Sequence, residues 1–247
     1  MTPVNVSESA PTTREVVAAR RPIKTALWRA VLAVTAKDLR AEIRGRELIN
    51  AMLLFAAIAV LIFSFALELD RQARETSITG VFWVTVVFAG MLGLNRSLAA
   101  EKDRGNLDAL LLAPVDRSAL FFGKMLSNLI WMLIVSLLLM LLITILFNIS
   151  LFLPWLGAVV LLGTVGFAAV GTLLSSMAVH TRARETMLPI LLLPVSLPII
   201  LSAVRASTAI LTGAPQEDWI AWPQMLLVAD VVILALAYIL FDFVVEE

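Results

Sequence analysis

The side chains able to do chemistry are few in this chain, and each stands alone. There is no cysteine and a single histidine, His180. Disulfides, thiolate metal sites, paired-histidine zinc sites and bis-histidine haem ligation within one chain are therefore excluded. The sequence holds no GxxxxGK[ST] phosphate loop, no HExxH, no GxSxG elbow and no carboxylate-rich run of the kind that holds magnesium. A chain with this inventory does not hydrolyse ATP by itself. His180 falls in a short turn between apolar stretches, an interfacial position rather than a catalytic one. Asp230 is different in placement, because it lies inside a long apolar stretch. An ionisable residue at membrane depth marks a functional position by default. No basic residue in the middle of another apolar stretch offers itself as partner, so the acid is either neutral or turned to water near the outer mouth.

Two further segments are patterned for mechanical work. The first is AEKDRGNLDALLLAPVDRSALFFGK, Ala100 to Lys124, a charged stretch between two apolar ones. Asn106 is placed to cap a short helix with Leu107, Leu110, Leu111 and Val115 on one face and Pro114 closing it. Asp103, Asp108, Asp116 and Arg117 form a charged rim. An apolar stripe framed by charge fits a groove on a soluble protein; a helix lying on lipid headgroups would show the same pattern. The second segment is LPILLLPVSLP, Leu188 to Pro198. Pro189 suits a first turn. Pro194 and Pro198 each remove a backbone donor, which frees the carbonyls of Ile190 and Pro194. Free carbonyls are costly in hydrocarbon, so this helix is expected to be buried against protein or to face a polar cavity. A moving element and a static kink both satisfy that pattern.

These residues are carried by membrane spans. Of the 247 residues, 60% are hydrophobic and 15% charged, and Met125 to Val179 contains no Asp, Glu, Lys or Arg. At about 1.5 Å per residue, such a stretch crosses a core of about 30 Å twice. The fold class is all-α, a membrane protein of six transmembrane helices with spans near 48–67, 78–99, 119–147, 154–179, 187–204 and 221–243. The third is long for one straight crossing, so its first residues are assigned to the link before it. Pro154 suits the first turn of the fourth. Gly163, Gly166 and Gly171 read as close helix packing, and Asn50 and Asn128 as candidates for bonds between helices.

Residues 1–21 read as a mobile tail, and 22–247 as a single transmembrane domain. Before the first span, about 22–47, Leu27, Trp28, Val31, Leu32, Leu39 and Ile43 fall near one helical face. Lys24, Arg29, Lys37, Arg40 and Arg44 occupy the rest. A basic amphipathic helix of this kind lies along a membrane surface; a helix packed on a soluble partner is the other reading. The first 47 residues have no 7–15-residue apolar core, so no cleavable signal peptide is expected and the first span targets the chain.

Lysine and arginine set the orientation. Nine precede the first span, five lie at Arg96, Lys102, Arg104, Arg117 and Lys124, and two at Arg182 and Arg184. The opposite side holds Arg71, Arg74 and Arg205. Both termini and the Ala100–Lys124 link are thus expected in the cytoplasm.

The link has the form E-x-x-x-G-x-L-x-x-L-L-x-x-P…GK, carried by Glu101, Gly105, Leu107, Leu110, Leu111, Pro114, Gly123 and Lys124. With a surface helix and six spans, it resembles the permeases of type-2 ATP-binding-cassette exporters. The chain is similar in particular to the B subunits of the cytochrome c maturation system, the haem exporter permeases. That likeness is carried by KDLRAEIRGRELIN (Lys37–Asn50), LGLNRSLAAEKDRGNLDALLLAPVD (Leu92–Asp116) and LPILLLPVSLPIIL (Leu188–Leu201), and runs from about residue 30 to 240.

The resemblance implies a coupling helix that docks in a cleft of a separate ATPase, with Glu101, Asp103, Gly105, Leu107, Leu110, Leu111 and Pro114 at the contact. It implies a complex in the bacterial inner membrane with a cytoplasmic ATPase, a haem-handling membrane subunit, a small single-span subunit and a periplasmic haem chaperone. ATP is then bound on a separate subunit and haem is handled by the complex. No cofactor is assigned to this chain, although its methionines leave weak haem ligation open, and no nucleic-acid partner is expected. Other readings are a scaffold for a haem-handling partner that passes no substrate, and a type-2 permease for lipid, glycan or drug.

Overall fold

The computed structural model describes residues 27–67, 71–103, 117–178 and 184–244, with side-chain surroundings at 27–67, 77–95, 118–177 and 187–239. The expected tail over 1–21, the leucine-faced helix over 106–114 and His180 lie outside the described residues. The described helices are α1 (Leu27–Gly45), α2 (Glu47–Ala66), α3 (Arg71–Asp103), α4 (Arg117–Phe147), α5 (Pro154–Ala178), α6 (Arg184–Leu211), the one-turn α7 (Gln216–Trp219) and α8 (Ala221–Val244).

Six stretches are long and apolar enough to span a bilayer: Glu47–Ala66, Ser77–Asn95, Ser118–Phe147, Pro154–Met177, Met187–Leu211 and Gln216–Ile239. They match the six spans expected from the sequence in number and order. Helix α1 is not among them. Six charged residues between Arg29 and Arg44 rule out a crossing.

Helices α3 and α5 form the centre, with 72% and 67% of their apolar windows enclosed by protein, against 22% for α2 and α8. Helix α2 packs on α3 and α4, and α8 packs on α5 and α6 at the other side. Lipid tails are as apolar as leucine, so these contacts depend on close packing rather than on exclusion from water. Glycines supply the room. A Cβ at Gly163 would overlap the Trp83 ring, and one at Gly171 would overlap Leu94. On α3, Gly90 leaves space for Met132 Cε and Gly93 for Met52 Sδ, which would lie 2.7 and 2.8 Å from an added Cβ.

Polar bonds cross the same interfaces. Trp83 Nε1 donates to Ser207 Oγ at 3.0 Å, and the Thr79 and Thr208 hydroxyls pair at 2.6 Å. Asn128 Nδ2 donates to Thr172 Oγ1 at 3.1 Å, a bond between helices of the kind expected for Asn128. Asn50 is exposed.

Three boundaries differ from expectation. Helix α6 continues to Leu211 rather than stopping near 204. Arg205 is exposed on its surface while Ser202, Ala203, Ala206, Ser207 and Ile210 keep the buried stripe intact, so one charge does not end the helix. Its end is a turn at Gly213 (φ 72°), closed by Ala214 N–H donating to the Ala209 carbonyl at 3.0 Å. Helix α4 is continuous from Arg117, so its first turns belong to the helix rather than to the link. Ala119, Phe121 and Lys124 are buried there, Ala119 and Lys124 against α1 and Phe121 in the main core. Helix α3 continues past Asn95 to Asp103, which at about 1.5 Å per residue carries Glu101 and Asp103 on the same rod, about 10 Å beyond the apolar window.

Replacing Gly171 by Ala should lower the unfolding midpoint in detergent, since overpacking a filled interface costs about 1–3 kcal/mol. Leu94→Ala in the same chain should recover part of the loss. Identical melting of Gly171→Ala and the parent would show that the helices have room to spare.

Candidate functional site

The residues with functional promise fall in three places. The first is the junction where α1 crosses the start of α4. Thr35 Oγ1 donates to the Gly123 carbonyl at 3.0 Å as well as to its own Val31 carbonyl at 2.9 Å. Lys124 Nζ lies 3.2 Å from Asp38 Oδ2, with the lysine side chain 7% exposed and the aspartate 14%. A Cβ on Gly123 would lie 2.6 Å from Val34 Cβ, so the absent side chain is what lets the helices meet. The Gly-Lys pair singled out at the end of the link therefore serves helix packing: one residue admits α1, the other ties it down. Asp38 and Thr35 were not among the residues the sequence singled out. Their signal was present as polar residues on the otherwise apolar side of a helix, but their partners lie more than 80 positions away.

Beyond this junction α1 turns sharply into α2. Arg46 takes a left-handed conformation (φ 55°), and Glu42 Oε1 accepts the Ile49 N–H at 2.9 Å. That bond satisfies one of the donors that a helix start leaves unpaired.

The second place is the link. Glu101 and Asp103 occupy the C-terminal end of α3. Gly105, Leu107, Leu110, Leu111 and Pro114 lie outside the described residues.

The third is the packing of α5, α6 and α8 around Asp230. The acid is 4% exposed, and neither Oδ1 nor Oδ2 has a hydrogen-bond partner among the described residues. A Cβ on Gly166 would overlap Asp230 Oδ1 and lie 3.0 Å from Ile199 Cδ1. The carboxyl thus sits against a bare stretch of α5 backbone. It does not open to water at an outer mouth, one of the two alternatives drawn from the sequence, because Gly166 lets α8 close over it.

The prolines of α6 depart from expectation as well. Pro189, Pro194 and Pro198 all lie inside one continuous helix, Arg184–Leu211. Pro194 and Pro198 are exposed with Ile190, Leu197 and Leu201, rather than buried against protein or facing a polar cavity. The opposite stripe, Leu188, Leu192, Ser196, Ile199 and Ala203, is the buried one. The reason is steric: the stripe facing α5 is built of small and aliphatic side chains that fit its glycines. Prolines four apart fall together on the outer side. Ser196 and Ser202 bond back to the carbonyls of Leu192 (2.6 Å) and Pro198 (2.7 Å), not to those the prolines leave free.

Met52, Met132 and Met225 have contacts inside the bundle, whereas Met177 and Met187 are exposed. Met52 and Met132 fill the glycine gaps of α3, and Met225 Sδ accepts from Ser202 Oγ at 3.7 Å. Among the described residues no three His, Cys, Asp or Glu side chains gather as a metal site.

This architecture defines a class: a polytopic membrane subunit with six spans, a non-spanning basic helix seated on the third span, and no catalytic centre among its described residues. The sequence profile of the CcmB protein family matches residues 29–245, and the chain belongs to that family. It is 29% identical to heme exporter protein B of Rhodobacter capsulatus over 174 residues, covering 68% of this chain and 78% of that one. Its identity to heme exporter protein B of Pseudomonas aeruginosa is 27% over 184 residues, with 72% and 80% covered. Against heme exporter protein B of Bradyrhizobium diazoefficiens it is 26% over 192 residues, with 74% and 83% covered.

Two substitutions test these contacts. Lys124→Met should destabilise the protein by about 1 kcal/mol, because it leaves the largely buried Asp38 carboxylate only the exposed Lys37, 3.2 Å from Oδ1, as an ion-pair partner, and Asp38→Asn in the same chain should restore part of the loss; additive losses in a thermal double-mutant cycle would mean that the two side chains do not interact. Gly166→Ala should depress the melting temperature in an Asp230 background and much less once Asp230 is Ala. Equal depression in both would remove Asp230 from the glycine's contact.

Proposed function

We propose that this chain is the membrane-spanning permease subunit of a haem-export system serving c-type cytochrome assembly, coupled to a separate cytoplasmic ATPase. The observation that carries the reading is family membership over residues 29–245, with relatives named heme exporter protein B matching along about four-fifths of their length. The segment 101–117 carries a coupling helix whose leucines, Leu107, Leu110 and Leu111, dock on the ATPase together with Glu101, Asp103, Gly105 and Pro114. Both helices that frame this segment are long. Force applied to it enters α3 at Asp103 and α4 at Arg117, and α4 carries α1 through Thr35, Gly123, Asp38 and Lys124.

The preponderance of Lys and Arg on one side supports a cytoplasmic location for both termini, and the likeness to bacterial heme exporter proteins B supports the inner membrane as the site. Helix α1 lies along the cytoplasmic face. The further partners are a haem-handling membrane subunit, a small single-span subunit and a periplasmic haem chaperone. No cofactor is assigned to this chain, and haem is the cargo of the complex.

A second reading is a scaffold that conveys motion to the haem-handling partner and passes no substrate itself. Reconstitution with the ATPase, following haem across the bilayer, separates the two. ATP-dependent movement that requires this chain supports transport, whereas chaperone release without movement supports the scaffold. Leu110→Asp with Leu111→Asp should abolish co-purification of the ATPase and its coupled turnover, since each places a charge in an apolar groove. Retention of both activities by that variant would move the docking site elsewhere.

A further inference from the structure

Helix α1 presents three faces, and only one of them is accounted for by the bundle. Val31, Thr35, Asp38 and Glu42 point toward protein, the first three against the start of α4 and Glu42 at the N–H of Ile49. About a quarter-turn around the helix, Trp28, Leu32 and Ile43 are 65%, 46% and 60% exposed. Beyond them Arg29, Arg40 and Arg44 are exposed too. The two acids of the helix, Asp38 and Glu42, are both spent on internal contacts. The outward charge of α1 is therefore entirely positive.

We propose that this outward surface of α1 is a binding site for anionic phospholipid, in which Trp28, Leu32 and Ile43 enter the acyl boundary and Arg29, Arg40 and Arg44 hold the phosphate headgroups. Three features favour lipid over a soluble partner. The apolar stripe is continuous with the bundle, since its inner neighbour Leu39 packs on the main core. The helix is seated on Ala119 to Leu126, the first turns of a 30-residue apolar stretch, and at about 1.5 Å per residue such a stretch exceeds a core of about 30 Å, so its ends reach the headgroup layer. The arginines border the apolar stripe on the side away from the bundle, where their stems can follow apolar surface while the guanidinium groups reach phosphate. Basic groups close to an anionic surface each strengthen association by up to about fivefold.

The proposal rests on the surface-lying placement of α1 given above, and the experiment separates the two. The full chain is reconstituted in phosphatidylcholine nanodiscs doped with equal fractions of brominated phosphatidylcholine or brominated phosphatidylglycerol. The share of tryptophan quenching lost in Trp28→Phe reports the lipid around α1. Quenching of that share should be at least about twofold greater with the anionic lipid, and Arg29→Gln, Arg40→Gln and Arg44→Gln together should equalise the two lipids. Equal quenching in the parent overturns the anionic preference and leaves the placement standing. A preference that survives the triple substitution overturns the assignment to these arginines. A Trp28 share quenched by neither lipid overturns the placement as well. In that case loss of ATPase co-purification in the triple variant identifies the face as a protein contact, independently of the haem-export reading.

Discussion

Everything in this bundle depends on how closely other helices can approach α5. In hydrocarbon, apolar side chains gain little by leaving lipid for protein, so association falls to dispersion contacts and a few hydrogen bonds. Three glycines on α5 set the distances: Gly163 receives Trp83, Gly171 receives Leu94, and Gly166 receives Ile199 and Asp230. Each bare backbone patch faces a different or differently placed neighbour, so α3, α6 and α8 are all positioned by one helix. The hydroxyl and indole bonds of Ser207, Thr208, Trp83 and Thr79 then fix how α3 and α6 are rotated.

The same device recurs at the α1 junction. Gly123 allows α1 to approach α4, and the polar pair Lys124 and Asp38 holds it there. Breaking one partner of a shielded ion pair costs more than the pair contributes over an apolar alternative. The pair therefore specifies where α1 sits more than it adds net stability. A helix tied in this way is coupled to α4, which begins directly after the segment proposed for ATPase docking.

Asp230 and the prolines of α6 occupy opposite faces of the same region. The acid is enclosed where α8 crosses Gly166, whereas Pro194 and Pro198 are turned outward. Both arrangements have one origin, because the α5 side of the interface accepts only what its glycines leave room for. A carboxyl fits against Gly166 and a leucine or serine against its neighbours, while a pyrrolidine ring with no donor is relegated to the outer stripe.

Composition and periodicity were enough to establish six spans, a seventh non-crossing helix and the absence of an ATP-hydrolysing motif, because hydropathy and helix period are properties of a local window. Gly163, Gly166 and Gly171 could be recognised as packing positions for the same reason. What each glycine receives could not be read locally, nor could the pairing of Asp38 with Lys124 or the outward turn of Pro194. Those depend on which helices become neighbours and on their rotation about their axes. The extension of α6 past Arg205 shows the same limit: a charge that ends an apolar window need not end a helix when it can stand on the outer surface. Rotation and neighbour choice arise from contacts between residues far apart in the chain, and only the tertiary structure decides them.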